Sequence, residues 1–372
     1  MFDIELIHKE DFTIVFNLVY AITFLIVFFA AIRLDALRSK KPSFKLWNKI
    51  GFIIIIIYIL LIGFRAYDVG TDTGNYYLFN WQLGYKSIGF ELLFDWLIRI
   101  IKLMGLSFTV FLLLISFCFF YSFYRAFKNI AAYYNISVLF IIFSFISLFF
   151  VSSLSINVIR QGLSLALLVL AYSIWLKSQN ITRIIFILVL SFLCHTTTVI
   201  PLSIFFFCQH FGKKFKIQYF LIIYILGIIL SFANFGLLNV TPFLKDILGG
   251  DKRANYLTNQ AEEYVVGFKP QFVAFNTVFL VLFYYGSKKL LKSKSEWKLQ
   301  YDILFRYFLL TSFVFFMAFQ MPFSDRWGLF GWIIIPLLSA PFFSMTLRNS
   351  IFKTLFVIFY GLIFLFFAFY GK

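Results

Sequence analysis

Residues 51–77 read GFIIIIIYILLIGFRAYDVGTDTGNYY, an apolar run that ends abruptly in a polar segment. The run carries no charged side chain before Arg65, whereas Asp68 and Asp72 follow closely behind it. About 20 apolar helical residues cross the roughly 30 Å hydrocarbon core of a bilayer. The stretch therefore predicts a membrane-spanning helix that ends at a polar surface, and similar runs recur along the whole chain.

The composition is that of a membrane protein. Of 372 residues, 62% are hydrophobic, 13% are charged and 57 are phenylalanine, whereas soluble domains hold about 45–50% apolar residues. Only helices and closed barrels span a bilayer, and the long apolar runs favour helices. We predict an all-α polytopic membrane protein that forms a single integral membrane domain over residues 1–372.

The positions of the charges indicate how the chain is threaded. We place ten spans, at 12–32, 50–64, 106–124, 135–153, 157–176, 217–238, 271–287, 302–320, 326–346 and 352–370. Alternate loops then hold 20 of the 33 Lys and Arg residues and only three acidic residues. Cytoplasmic loops are enriched in Lys and Arg. The net charge of +17 is therefore a topology signal, and no nucleic-acid partner is expected.

Residues 183–211 must cross the membrane an even number of times to keep the later basic loops on the cytoplasmic side. We predict a hairpin or re-entrant pair that breaks at LCHTTTVIP, residues 193–201. Pro201 and the β-branched threonines weaken helix continuity there. The total becomes about twelve membrane segments, with both termini outside and His195 near the outer tip.

The unusual polar residues then collect on the non-cytoplasmic face. Glu91, Asp95, Arg99 and Lys102 are spaced as one stripe of a helix, which predicts a surface helix at the end of an outer-face region, residues 65–105. The longest outer loop is 239–270. Charged residues near a membrane boundary need a partner or a ligand, so we place the function on this face.

Four stretches in order carry a family resemblance: FRAYDVGTDTGNYYLF, SIGFELLFDWLIRIIKLMGLSF, SINVIRQGLSLALLVLA and LSFLCHTTTVIPL. They contain an Arg with GTD-x-x-x-Y, a G-F-x-L-L stretch, an RQ at a helix start and a His before a break. A weaker echo follows at SDRW, residues 324–327. The chain resembles the EpsG-like family of Wzy-type polysaccharide polymerases.

The resemblance implies a glycosyltransferase with a GT-C-like membrane fold in the bacterial inner membrane, its site facing the periplasm or cell exterior. It implies transfer of a growing O-antigen, capsule or exopolysaccharide chain from undecaprenyl diphosphate to the terminal sugar of an incoming lipid-linked repeat unit. Expected partners are the undecaprenyl-diphosphate-linked oligosaccharide, membrane lipid, a chain-length regulator and a flippase. No cofactor is expected, and transfer is expected to be metal-independent.

Such a reaction needs cations for the diphosphate and a base for the acceptor hydroxyl. We predict Asp72, His195 and Arg160 as catalytic residues, with Arg160 in the first turn of a helix capped by Ser155 or Asn157. Either Asp72 or His195 could be the base. The predicted substrate-binding residues are Arg65, Tyr76, Gln161 and Arg326.

Structural readings and other classes stay open. Arg160 could snorkel to lipid headgroups, Asp72 could hold its own turn, His195 could be a core residue, and Arg326 could pair with Asp325. A lipid-linked oligosaccharide flippase or transporter would carry polar residues through the middle of several helices. An O-antigen ligase would use the same donor with another acceptor. No CxxC or Cys/His spacing suggests a disulfide framework or zinc site.

Overall fold

The computed structural model describes residues 7–36, 43–84, 91–240, 266–290, 295–344 and 351–370. These residues are almost entirely helical and contain no β-strand, which confirms the all-α prediction. The chain divides into two compact units, residues 1–199 with 339–372 and residues 200–338. The prediction of one membrane domain stays a prediction.

The first unit is built mainly from nine helices and the helix that closes the described chain. They are α1 Lys9–Ala36, α2 Lys45–Gly63, α3 Thr71–Asn75, α4 Leu92–Leu103, α5 Phe108–Tyr134, α6 Val138–Ile146, α7 Phe150–Ile156, α8 Ile159–Ser178, α9 Ile181–Cys194 and, after the second unit, α17 Phe352–Tyr370.

The second unit begins within α10, and the chain returns to the first unit within α16. Its helices are α10 Val199–His210, α11 Ile217–Phe232, α12 Leu237–Val240, α13 Pro270–Tyr285, α14 Ser295–Met317, α15 Asp325–Trp332 and α16 Ile335–Phe343. α14 packs against α11, α13 and α15. The indole nitrogen of buried Trp332 donates to Asn276 Oδ1 at 2.7 Å, so the core includes a satisfied polar contact.

Seven of the helical segments are long and apolar enough to cross a membrane, and an eighth is added if the bent pair of α6 and α7 counts as one span. The seven are α1, α2, α5, α8, most of α14, α15 joined to α16, and α17 without its last residue. Their number and composition make the chain a multi-pass membrane protein.

The polypeptide departs from straight spans in two places. α6 and α7 lie at 84° to each other, where the sequence had predicted one span over 135–153. The helix break predicted within 193–201 is confirmed, because α9 ends at Cys194 and a single 3₁₀ turn, Thr196–Thr198, precedes α10. Pro201 lies in the first turn of α10, where a proline removes no helix hydrogen bond. The reversal of direction stays a prediction.

Small and polar side chains join the helices of the first unit. α8 packs on α5, α7 and α9. The Ser164 hydroxyl on α8 donates to the Ser191 carbonyl on α9 at 2.9 Å and also bonds the Thr198 hydroxyl. Serine and threonine allow close helix approach within a membrane and bond across the interface. The contacts fix the position of the break at residue 195 relative to α8.

A second polar link joins the two ends of this unit. α17 packs on α1, and buried Asp35 near the end of α1 accepts hydrogen bonds from the backbone and hydroxyl groups of Thr354 at 3.0 and 2.9 Å. Lys353 Nζ lies 3.3 Å from the same carboxylate. Asp35 therefore caps the first turn of α17 and is compensated by a cation.

Most of the predicted outer loop, 239–270, lies outside the described residues. Of that loop the structure describes 239–240 and 266–270.

The close approach of α7 and α8 depends on Gly162. A Cβ at residue 162 would overlap the carbonyl oxygen of Leu154. We expect Gly162→Ala to lower the melting temperature of the detergent-solubilised protein, because overpacking costs about 1–3 kcal/mol and exceeds the helix-propensity gain of up to about 1 kcal/mol. Gly74→Ala is the control, since its nearest neighbour would be 3.9 Å away. Equal melting temperatures for the two variants would contradict this packing.

Candidate active site

The candidate site begins where α2 ends. The Arg65 side chain is 1% exposed; it donates to the carbonyl of Ile62 at 2.5 Å and to the Thr73 hydroxyl at 2.9 Å. The Thr73 hydroxyl in turn donates a hydrogen bond to the carbonyl of Ile156 at 2.5 Å. Burial lowers the pKa of Arg65 to about 9, so the guanidinium stays charged at neutral pH. This buried cation fastens the polar segment to the end of α7.

Gly70 allows the same segment to lie directly on the α7–α8 connection. Its φ is +93°, and a side chain there would collide with Ile156 and Asn157. Only glycine adopts this backbone region routinely. The contact places α3, and the residues that follow it, beside the start of α8.

A π-helical segment, Tyr76–Gln82, continues directly from α3. Tyr76 is buried within it, and its hydroxyl accepts a hydrogen bond from Arg160 Nε at 2.8 Å. The guanidinium carbon of Arg160 lies 5.3 Å from the centre of the Tyr76 ring. Burial raises the pKa of the Tyr76 phenol, so it remains a neutral partner for the arginine. Single π-turns occur frequently at functional sites.

Arg160 lies in the first turn of α8, as predicted, but the predicted cap is wrong. The capping residue is Val158, which makes no side-chain bond, and the Ser155 hydroxyl donates instead to the Val151 carbonyl. The charged partner of Arg160 is the carboxylate of Glu91, the residue that directly precedes α4. NH1 of Arg160 lies 2.5 Å from Oε2 of Glu91, and the arginine side chain remains 27% exposed.

His195 occupies the break between α9 and α10 in an extended backbone conformation. Its Nδ1 lies 2.6 Å from Oε1 of Glu91, and its side chain is 19% exposed. The Thr196 hydroxyl also reaches Oε1, at 3.5 Å. The helix break thus places an imidazole against a buried carboxylate and leaves part of the ring accessible.

Glu91 joins these groups, and sequence reasoning missed it. It precedes α4, and its side chain is fully buried with 0% exposure. Helical spacing assigned it to an outer stripe, but the stripe is divided: Asp95 is also buried, whereas Arg99 and Lys102 are exposed. The available signal was electrostatic, because a membrane-boundary arginine such as Arg160 needs an anion, and Glu91 is one of the acidic residues on the same predicted face.

Two further predicted residues lie nearby. Asp72 is half-buried in the first turn of α3, and its charge acts on both Tyr76 and Arg160. Gln161 follows Arg160 and is buried. The structure therefore brings Tyr76, Arg160 and His195 together around Glu91, and the charge of Asp72 acts on Tyr76 and Arg160.

Arg65 and Arg326 are placed differently. Arg65 contacts the main-chain carbonyl of Ile62 and the hydroxyl of Thr73. Arg326 belongs to the second unit, where its guanidinium lies 4.6 Å from the centre of the Phe323 ring. Their direct contact with substrate stays a prediction.

The cluster combines two chemical capacities. Within the described residues, Arg160 uses two of its five N–H groups on Tyr76 and Glu91 and keeps others for an anion. The accessible imidazole of His195 can accept or donate a proton. No group of three or more His, Cys, Asp or Glu side chains in the described part of the chain is arranged to hold a metal ion.

Together, the fold and this cluster define a multi-pass membrane protein in which an arginine and a histidine contact one buried carboxylate. A sequence model of the EpsG family matches residues 48–372. The chain belongs to that family, a family of Wzy-type polysaccharide polymerase-like proteins, as its sequence had suggested. No curated protein and no solved structure gives a significant match.

The Thr73 hydroxyl generates a prediction, because it joins a buried cation to α7. Thr73→Val keeps the shape of the side chain and removes both hydrogen bonds. We expect a loss of about 1–3 kcal/mol of stability, since buried donors left without acceptors are costly, measured as a lower midpoint of thermal unfolding. Thr71→Val, at an exposed threonine of the same short helix, is the control. If neither variant changes the midpoint, the Thr73 hydroxyl does not stabilise the contact between Arg65 and α7.

Proposed function

We propose that the protein is a polysaccharide repeat-unit polymerase. It transfers a growing glycan from undecaprenyl diphosphate to the terminal sugar of an incoming lipid-linked repeat unit, at the periplasmic or outer face of the bacterial inner membrane. Membership of the EpsG family supports polysaccharide polymerisation in general terms. The observation that carries the finer proposal is the cluster of Arg160 and His195 on one buried carboxylate.

The reaction has two requirements: a base for the acceptor hydroxyl and cationic groups for the leaving diphosphate. A bond forms between the acceptor hydroxyl oxygen and the anomeric carbon of the donor glycan, while the bond from that carbon to the diphosphate oxygen breaks. The acceptor loses a proton, and undecaprenyl diphosphate leaves with negative charge that develops in the transition state. A base is needed at the acceptor, and fixed cationic donors are needed at the leaving group.

Arg160 meets the second need. Its guanidinium is held in place by Tyr76 and Glu91, and fixed N–H donors stabilise phosphate charge without reorganisation. It also lies in the first turn of α8, where free backbone N–H groups favour an anion. We assign the donor diphosphate to this side chain, with Gln161 beside it as a polar ligand.

His195 meets the first need, and it takes the proton from the acceptor hydroxyl. Asp72 is the second candidate for the same proton, because it is half-buried beside Tyr76 and Arg160. Direct displacement by the activated hydroxyl inverts the anomeric configuration. No step in this proposal requires a metal ion or a cofactor.

We also propose about twelve membrane segments, both termini outside, and a GT-C-like fold. Seven candidate spans and the bent pair of α6 and α7 are accompanied by α9, α10, α11 and α13, which are 12 to 16 residues long. These four helices lie at the positions of the remaining predicted segments. Expected partners remain membrane lipid, a flippase that delivers the repeat unit and a chain-length regulator.

Glycan laddering tests the proposal in a host that supplies lipid-linked repeat units and lacks its own polymerase. We expect wild type to produce a ladder, and Arg160→Ala and His195→Gln to produce single-repeat glycan at equal membrane levels. Arg183→Ala and His210→Gln are matched controls, because both residues are exposed and lie outside the cluster. Both controls should retain the ladder.

The other outcomes are equally specific. If Asp72→Asn loses the ladder and His195→Gln keeps it, the proton acceptor is Asp72. If wild type restores only export of single repeats, the protein is a flippase. If it restores attachment of glycan without chain extension, it is a ligase.

A further inference from the structure

Within the described residues, the Glu91 carboxylate has a close partner on each of its two oxygens. Oε2 accepts from Arg160 and Oε1 contacts Nδ1 of His195, at 2.5 and 2.6 Å. The side chain has no exposed surface, so water does not compete for either contact. α4 packs on α9, and therefore the helix that Glu91 precedes and the helix that ends before His195 are held together.

The contact with Oε1 determines where the imidazole carries its proton. An ionised carboxylate can only accept hydrogen bonds, so Nδ1 must be the donor at 2.6 Å. In the neutral ring the second nitrogen, Nε2, then carries a lone pair and no proton. A base must present such a nitrogen to the hydroxyl that it deprotonates.

We propose that Glu91 is the positioning residue of this site, and that it fixes His195 in the tautomer whose Nε2 is free to accept a proton. This role in catalysis rests on the proposed function, whereas the tautomer itself does not. The same carboxylate contacts Arg160. The Glu91 side chain therefore sets the orientation of both His195, the base, and Arg160, which binds the diphosphate.

The opposite arrangement follows when the carboxylate becomes an amide. A Gln at residue 91 offers one acceptor oxygen and one NH₂ donor. Arg160 can only donate, so it takes the oxygen and turns the NH₂ group toward His195. Nδ1 must then accept, the ring proton moves to Nε2, and the base is lost. Glu91→Gln therefore preserves the shape of the site and reverses the tautomer.

Nitrogen-15 spectroscopy of the ring measures this directly. The chain has three histidines, His8, His195 and His210. The signals that are missing from the spectrum of His195→Gln are those of His195. In purified wild type labelled at histidine, at a pH where the ring is neutral, we expect His195 to be protonated at Nδ1. In Glu91→Gln we expect protonation at Nε2.

Asp35→Asn is the matched control. Asp35 is a buried carboxylate of the same unit that also contacts a cation and a hydroxyl, so its loss reproduces the cost of removing a buried charge. It should leave the His195 signals unchanged. Protonation of wild type at Nε2, or an unchanged tautomer in folded Glu91→Gln, would overturn the proposal. If Glu91→Gln does not fold, the wild-type spectrum still decides the tautomer.

Activity gives the second readout. We expect Glu91→Gln to lose about 10²- to 10⁴-fold in polymerisation rate, the range typical of general-base catalysis, and Glu91→Asp to recover part of it. A reversed tautomer with full activity would remove Glu91 from catalysis. The expected tautomers in a protein without polymerase activity would instead refute the proposed function and leave the positioning of His195 intact.

Discussion

Charge buried beside a membrane needs compensation, and the first unit is organised around that constraint. Glu91 has no contact with solvent and is stabilised by Arg160 and His195. Removing one partner of a buried ion pair typically costs about 3–5 kcal/mol, because the remaining charge is left uncompensated. The three residues come from separate parts of the chain, so the cluster also constrains how α4, α8 and the α9–α10 break meet.

Arg65, the second buried cation, connects two helices through main-chain carbonyl groups. It contacts a carbonyl of α2 and, through Thr73, a carbonyl of α7. Thr73 belongs to the same segment as Asp72 and Tyr76. Arg65 therefore holds the segment that carries Asp72 and Tyr76 in place. Arg160, in contrast, is part of the cluster around Glu91.

Much of this arrangement could be predicted from the chain alone, because periodic apolar runs and the placement of Lys and Arg are strong signals. The long spans, the break before Pro201 and the first-turn position of Arg160 follow from such local patterns. Glu91 was not predictable in the same way. Helical spacing relates it to Asp95 and Arg99, whereas its actual partners are 69 and 104 residues away.

The bend between α6 and α7 and the true cap of α8 were missed for a related reason. Residues 135–153 are apolar enough for a straight span, and Ser155 and Asn157 are typical capping residues. Tertiary contacts overrode both preferences. Gly162 brings α8 onto the Leu154 carbonyl, and Gly70 brings the polar segment onto Asn157. A glycine in a sequence indicates that another segment packs closely on the backbone there, but the sequence does not show which segment it is.

The link between the first and last described helices bears on how the protein is made. Asp35 meets Thr354 across 319 residues of chain. At about 5–20 residues per second, the ribosome needs roughly 15–60 s to supply that partner. During this interval α1 lacks the contacts that α17 supplies to it. The contact between α1 and α17 is therefore among the last that the first unit can form during synthesis.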